Sequence, residues 1–172
     1  LYLLLSFLLV HFSLAGDWSQ WRGENRDGIA IGESGLARLP AKPQVMWQVS
    51  VGKGQGGLVM SGGKLLMLHE VSVKGKLMEA AALINATTGE KIWQTPYSDS
   101  WQYTNVYGPG PRTAPMIDGD LIFCQSAKGV LACISMKTGE LLWSREYSGD
   151  FGAKWFGGNA PGSQGTAASR HG

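Results

Sequence analysis

The sequence predicts an all-β fold built from repeated four-stranded antiparallel units, and three observations support this prediction. Short apolar runs are separated by glycine-containing turns through most of residues 44–150. No segment keeps the 3.6-residue apolar spacing of an amphipathic helix. Residues 81–98 and 131–148 agree at eight of eighteen positions with a constant offset of fifty residues. Repeats of that period are typical of propellers and solenoids.

Composition limits the size and the class of the protein. The chain has 172 residues, of which 44% are hydrophobic and 16% are charged, and a length of this order corresponds to about one domain. The formal net charge is only +2 and the Lys and Arg residues are scattered, so the composition does not favour a nucleic-acid partner. The 25 glycines are about twice the ordinary share of roughly 7%, which indicates many tight turns.

The first fifteen residues are apolar and end in a small-x-small pattern, Ser13-Leu14-Ala15. This pattern predicts a signal peptide over residues 1–15, too short to span a membrane. A lipoprotein signal would place Cys at the position that Asp17 occupies. The sequence therefore predicts an exported chain, periplasmic or extracellular, with neither a lipid nor a transmembrane anchor.

Each repeat reads as four short strands. In the second copy the strands are "TAPMI", "DLIFCQS", "VLACIS" and "ELLWSREY", with Gly119, Gly129 and Gly139 at the turns between them. Upstream of the matched segment the repeat continues at an offset of 56, which aligns Gly63 with Gly119. The middle hairpin of the first copy is therefore expected to be six residues longer. By comparison with "VLACIS", residues 77–84 are expected to form a strand.

Both repeats contain Thr-Gly-x-x-x-Trp at the turn before the fourth strand. We expect the Gly to turn the corner, the Thr hydroxyl to bond to the turn backbone, and the Trp to dock against the neighbouring unit. The predicted role is structural. The residues of this motif are Thr88, Gly89, Trp93, Thr138, Gly139 and Trp143.

This pattern resembles the blade repeat of pyrroloquinoline-quinone (PQQ)-type β-propellers, Ala-x-Asp-x-x-Thr-Gly-x-x-x-Trp, which close in rings of seven or eight blades. The family's Asp is Asn85 in the first copy and Ser135 in the second, and both keep an oxygen that can cap the turn. The resemblance implies four-stranded antiparallel blades, about two of which are present. Since propellers need about four or more blades, the chain is expected to be an N-terminal fragment.

The predicted organisation has four parts. Residues 1–15 are the signal peptide, 16–43 an N-terminal arm, 44–153 the blades, and 154–172 an irregular tail without a strand pattern. The stretch "MWQVSVG", residues 46–52, resembles the last strand of a blade. It is expected to complete another blade of the ring.

The connection between the two repeats, residues 98–112, is long and aromatic, and long loops at a propeller face often carry binding. The alternative is that Arg112 pairs with an acid of a neighbouring blade while the aromatic side chains fill the ring. The candidate ligand or partner residues are Trp101, Tyr103, Tyr107 and Arg112.

Cys124 and Cys133 lie on the two arms of one predicted hairpin. If the turn is centred on Lys128-Gly129 they face each other, whereas a one-residue register slip separates them. Two buried free thiols and a cross-strand disulfide are therefore both open.

The resemblance implies an exported, non-catalytic scaffold that binds a protein or a saccharide ligand, as in the envelope scaffold of the outer-membrane barrel assembly machinery. No catalytic, cofactor or metal residues are predicted. One alternative is a quinoprotein dehydrogenase using PQQ and Ca²⁺, for which the resemblance implies acidic and amide ligands that are not identifiable here. Another is a polysaccharide-binding module of a larger exported enzyme.

Overall fold

The structure is a computed structural model that describes residues 16–33, 41–102 and 108–153. Eight strands and one short helix form there. They are β1 (Val59–Ser61), β2 (Lys64–Val73), β3 (Lys76–Asn85), β4 (Lys91–Asp99), β5 (Met116–Asp118), β6 (Leu121–Gln125), β7 (Val130–Ser135), β8 (Leu141–Glu146) and α1 (Tyr147–Phe151).

The strands form two four-stranded antiparallel sheets in which every strand pairs with its neighbours in sequence. We call β1–β4 blade 1 and β5–β8 blade 2. This architecture confirms the predicted fold class: the described part of the chain is all-β and contains two propeller blades that do not close into a ring. Residues 77–84 lie in β3, as predicted from the repeat.

The hydrophobic core lies between the blades. One cluster of buried side chains includes Leu66 and Leu83 of blade 1 together with Ile122 and Ile134 of blade 2. Since side chains alternate between the faces of a strand, each blade contributes one face to this shared layer. Neither blade has a separate core cluster of its own among the described residues.

The β2–β3 hairpin is longer than the sequence alignment predicted. The amide of Ala86 donates to Gly63 O and that of Met136 donates to Asp120 O, so Gly63 corresponds to Asp120 at an offset of 57, not 56. Gly62 and Gly119 are the equivalent glycines, each with φ of +55°. The hairpin Lys64–Asn85 therefore exceeds Leu121–Ser135 by seven residues rather than six.

The N-terminal arm lies along the free edges of the first strands of both blades. Trp18 exchanges two backbone hydrogen bonds with Met60 of β1, at 2.8 and 2.9 Å. Ser19 O accepts the amide of Ile117 in β5 at 2.8 Å. The Asp17 carboxylate accepts Ser61 Oγ at 2.7 Å and the adjoining turn amide at 2.9 Å. The arm thus joins the two blades along their first strands.

The predicted signal peptide (1–15) and tail (154–172) lie outside the described residues. Within the described residues, α1 is the only helix, and no helix there is long and apolar enough to cross a membrane.

Candidate functional site

The corner between β7 and β8 shows what the Thr-Gly-x-x-x-Trp motif does. The Thr138 hydroxyl accepts the amide of Glu140 at 3.3 Å, and Ser135 Oγ accepts the amide of Thr138 at 3.3 Å. At the equivalent corner of blade 1, Asn85 Oδ1 accepts the amide of Thr88 at 3.1 Å. The substituted Asn and Ser therefore fulfil the turn-capping role of the expected Asp.

Trp93 of blade 1 docks on the corner of blade 2. Its indole Nε1 donates to Met136 O at 3.0 Å, and Thr95 Oγ1 donates to Gly139 O. Gly139 has φ of +73°, and a Cβ there would lie 2.7 Å from the indole of Trp93. The glycine is required both for the backbone conformation and for the approach of the ring.

Trp47 makes the same contact one blade earlier. Its Nε1 donates to Ala86 O at 2.9 Å, and a Cβ on Gly89 would lie 2.7 Å from its ring. Residues 46–52, predicted as a strand, are not in a strand, because the described residues give them no sheet partner to pair with. The tryptophan nevertheless occupies the position of an outer-strand anchor.

Trp143 is the third residue of this series and is 39% exposed. Its ring contacts Phe123 in a tilted arrangement with centroids 6.1 Å apart. The face of blade 2 that carries Trp143 is the one directed away from blade 1, since Trp143 and Phe123 both pair with Cys133. The predicted structural role therefore has a printed inter-blade contact for Trp93 and Gly139, whereas for Trp143 it stays a prediction.

A group of polar side chains converges at the end of blade 1 where β2 turns into β3. We call Glu70, Glu79, Tyr97, Ser100 and Gln102 the apical cluster. Glu70 and Glu79 are paired directly across the β2–β3 ladder, and β4 and the chain that follows it provide the other three residues. The two carboxylates bond in different directions, one to the loop after β4 and one to blade 2.

Glu70 fixes the beginning of the connection between the blades. Its Oε2 accepts Ser100 Oγ at 2.5 Å and Gln102 Nε2 at 2.7 Å. Trp101, between these two residues, is half-buried. The predicted binding loop therefore starts from a fixed position rather than from a free strand end.

Glu79 is fully buried and connects the two blades. Its carboxyl accepts the Tyr97 hydroxyl at 3.2 Å and the backbone amide of Ala127, in the β6–β7 turn, at 3.2 and 3.3 Å. Burial raises the pKa of Glu79 from 4.5 to about 7, partly offset by these hydrogen bonds. Burial also raises the pKa of Tyr97, so this hydroxyl remains a donor at neutral pH.

The remaining loop candidates do not form one site in the described residues. Arg112 is half-buried and donates from Nη2 to Gly108 O at 2.8 Å, which fixes the end of the same connection. Tyr103 and Tyr107 lie outside the described residues. Only Trp101 and Arg112 can therefore be placed, at the two ends of the loop.

The two cysteines do not pair across the hairpin. Both thiols are free and buried, and the register places Cys124 opposite Ala132 and Cys133 opposite Phe123. This one-residue slip puts the two side chains on opposite faces of the sheet, which corrects the cross-strand disulfide hypothesis. Burial raises the pKa of the Cys124 thiol, so it stays protonated and unreactive.

The family model described as outer membrane protein assembly factor BamB matches residues 37–154 of the chain. This match spans both blades and Trp47, Trp93 and Trp143. The chain belongs to this BamB-like family of PQQ-type repeats. The predicted family resemblance is thereby confirmed.

Comparison with solved structures finds similarity to a europium-containing methanol dehydrogenase, with a TM-score of 0.32 and 11% sequence identity. The similarity covers 59% of this chain but only 26% of the dehydrogenase chain, so the chain spans about a quarter of that protein's length. No match was found among curated proteins.

The apical cluster was not predicted from the sequence. The family motif lies at the corners, whereas Glu70 and Glu79 lie in the hairpin extension that the blade 2 hairpin lacks. One signal was available, because the two acids are placed symmetrically about the Lys74-Gly75 turn and therefore had to pair. No group of three or more His, Cys, Asp or Glu within residues 16–33, 41–102 and 108–153 could hold a metal ion.

Proposed function

We propose that this chain is part of an exported BamB-like propeller that binds a protein partner and catalyses no reaction. The partner is held at the apical end of blade 1, by the tip of the β2–β3 hairpin and the connection that follows β4. The observation that supports the proposal is the anchoring of this connection by Glu70, through Ser100 and Gln102. A loop fixed at its beginning loses less conformational entropy when it binds.

The chemistry of the apical end favours a protein partner. Lys74 and Lys76 lie at the exposed hairpin tip, and Trp101 is half-buried beside it. Lys76 and Lys128 both pair with Asp99, at 2.5 and 3.6 Å. An aromatic side chain with a polar, solvent-accessible rim is typical of protein interfaces.

The proposal includes the absence of quinone and Ca²⁺ binding by this part of the chain. Both apical carboxylates are already hydrogen-bonded to protein groups, Glu70 to two side chains and Glu79 to Tyr97 and Ala127. These hydrogen bonds give both acids a role in the fold that needs no cation.

A photo-crosslinking amino acid placed at Lys74 tests the proposal on the full chain in an envelope extract. We expect a discrete crosslinked protein that mass spectrometry identifies. The matched control is the same substitution at Lys137, which is also exposed but lies at the corner between β7 and β8, at the opposite end of the blades. Few or no crosslinks are expected there.

Three outcomes would contradict the proposal. Crosslinking of equal yield at Lys74 and Lys137 would show that the apical end has no special role. Reduction of a dye by the chain mixed with PQQ, Ca²⁺ and an alcohol would support the dehydrogenase alternative. Retention on a polysaccharide column, with no protein crosslink, would support the saccharide-binding alternative.

A further inference from the structure

Glu79 is a buried titratable group that the proposed partner binding does not use. It is fully inaccessible to solvent, although carboxylates are almost never fully buried unless paired. Its carboxyl connects the β2–β3 hairpin to the β6–β7 turn, because it accepts a hydrogen bond from the backbone amide of Ala127. Its charge therefore acts on the junction between the two blades.

The surroundings of Glu79 contain charges of both signs. Glu70 lies directly across the strand pair and disfavours a second negative charge. Lys128, beside Ala127 in the turn of blade 2, favours the charge, but it is already held by Asp99 at 3.6 Å. Tyr97 of β4 and Cys124 of β6 are neutral at ordinary pH because burial raises the pKa of each.

Protonated and ionised Glu79 differ in the free energy needed to keep the carboxyl buried at the junction. A protonated carboxyl keeps an oxygen that accepts the Ala127 amide, and it buries no charge. An ionised carboxyl keeps the same acceptors but is held in an apolar interior beside Glu70, where a charge with no cation in direct contact is expensive. Separation of the hairpin from the turn would let water reach it.

We propose that Glu79 is a proton-controlled latch between the blades: the β2–β3 hairpin and the β6–β7 turn are held closed on each other when this carboxyl is protonated, and they open more readily when it ionises. The latch belongs to blade 1 alone, because the hairpin of blade 2 lacks the extension that carries Glu79. It is independent of which partner the chain binds.

The sign of the pH dependence follows from the burial of the carboxyl. The closed junction raises the pKa of Glu79 from 4.5 to about 7, so the closed form binds the proton more tightly than an open form with the ordinary value. Closure is most favourable below pH 4.5, and this advantage is lost as the pH rises to about 7. Between pH 5.5 and 8.5 the opening equilibrium should increase about thirtyfold.

Hydrogen exchange of the Ala127 amide measures this opening in the whole chain. After correction for the intrinsic exchange rate at each pH, we expect its protection factor to fall about thirtyfold from pH 5.5 to pH 8.5. Glu79→Gln keeps the size and an acceptor for the amide but cannot ionise, so its protection factor should not change with pH. Glu90→Gln, which removes an exposed carboxyl, should behave like the wild type.

The proposal is overturned if Glu79→Gln shows the same loss of protection as the wild type, or if the wild type shows none. Should Glu79→Gln fail to fold, the carboxyl carbon of Glu79 can be followed by NMR in the wild-type chain. A midpoint above the ordinary 4.5, together with loss of Ala127 amide protection as the pH rises, supports the latch; a midpoint near 4.5, or a raised midpoint with unchanged protection, overturns it.

Discussion

At the residue scale, a single glycine decides whether one blade can dock on the next. The indole of Trp93 lies where the side chain of any other residue at position 139 would begin. The hydrogen bond from the indole to Met136 O then fixes the ring in that space. The contact thus needs a glycine on one blade, because it has no side chain, and a large aromatic ring on the other.

Gly139→Ala should destabilise the fold by roughly 2 to 5 kcal/mol, because it adds a positive-φ penalty to a clash with the indole. The matched control is Gly119→Ala, where φ is +55° but a Cβ would meet nothing within 4 Å. Only the backbone cost of about 1 to 2 kcal/mol is expected there. Urea unfolding of both variants checks the difference, and equal losses would contradict a special role for the corner.

Residues that recur could be predicted from the sequence, and residues that occur once could not. Thr138, Gly139 and Trp93 repeat at a constant offset, so a second copy showed which features of the corner are required. Glu79 has no counterpart in blade 2, and its burial depends on the approach of the β6–β7 turn, a tertiary contact that local sequence does not encode. The same limit applies to Glu70.

At the scale of elements, the hairpin offset shows how an alignment by residue identity can fail. Residue identity matches Gly63 to Gly119, since both are glycines after the first strand. The hydrogen bonds instead make Gly63 equivalent to Asp120, because each turn uses two residues and only its first position is glycine in both blades. Turn geometry, rather than residue identity, sets the register of a hairpin.

Which strands the N-terminal arm contacts could not be predicted from the sequence. Removing the Asp17 carboxylate should loosen it, because that group holds Ser61 Oγ and the Gly62 amide. For Asp17→Ala we expect the amides of Met60 and Ile117, which donate to the arm, to lose about tenfold in hydrogen-exchange protection. Asp27→Ala is the control, since Asp27 bonds only within the arm, to Ile29. Unchanged protection in Asp17→Ala would show that the carboxylate does not hold the arm.

At the scale of the whole molecule, the two blades share one core. Leu83 is 1% exposed and packs in the cluster between the blades. Leu83→Ala should therefore cost roughly 2 to 5 kcal/mol and speed amide exchange in blade 1 and blade 2 alike. Leu142→Ala, at a position that is 47% exposed, should change stability by less than about 0.5 kcal/mol. Faster exchange in blade 1 alone would show that the blades unfold independently.

The docking of Trp47 on Gly89 and of Trp93 on Gly139 has a direction. In each case the earlier segment of the chain gives the tryptophan and the later blade receives it, so the contact is heterologous, joining two different surfaces. Repetition of a heterologous contact leads either to a closed ring or to an open helical array. Trp143, the third tryptophan of this series, is still 39% exposed. The rotation and rise from one Trp–Gly contact to the next therefore determine whether repeated blades close into a ring, and after how many blades.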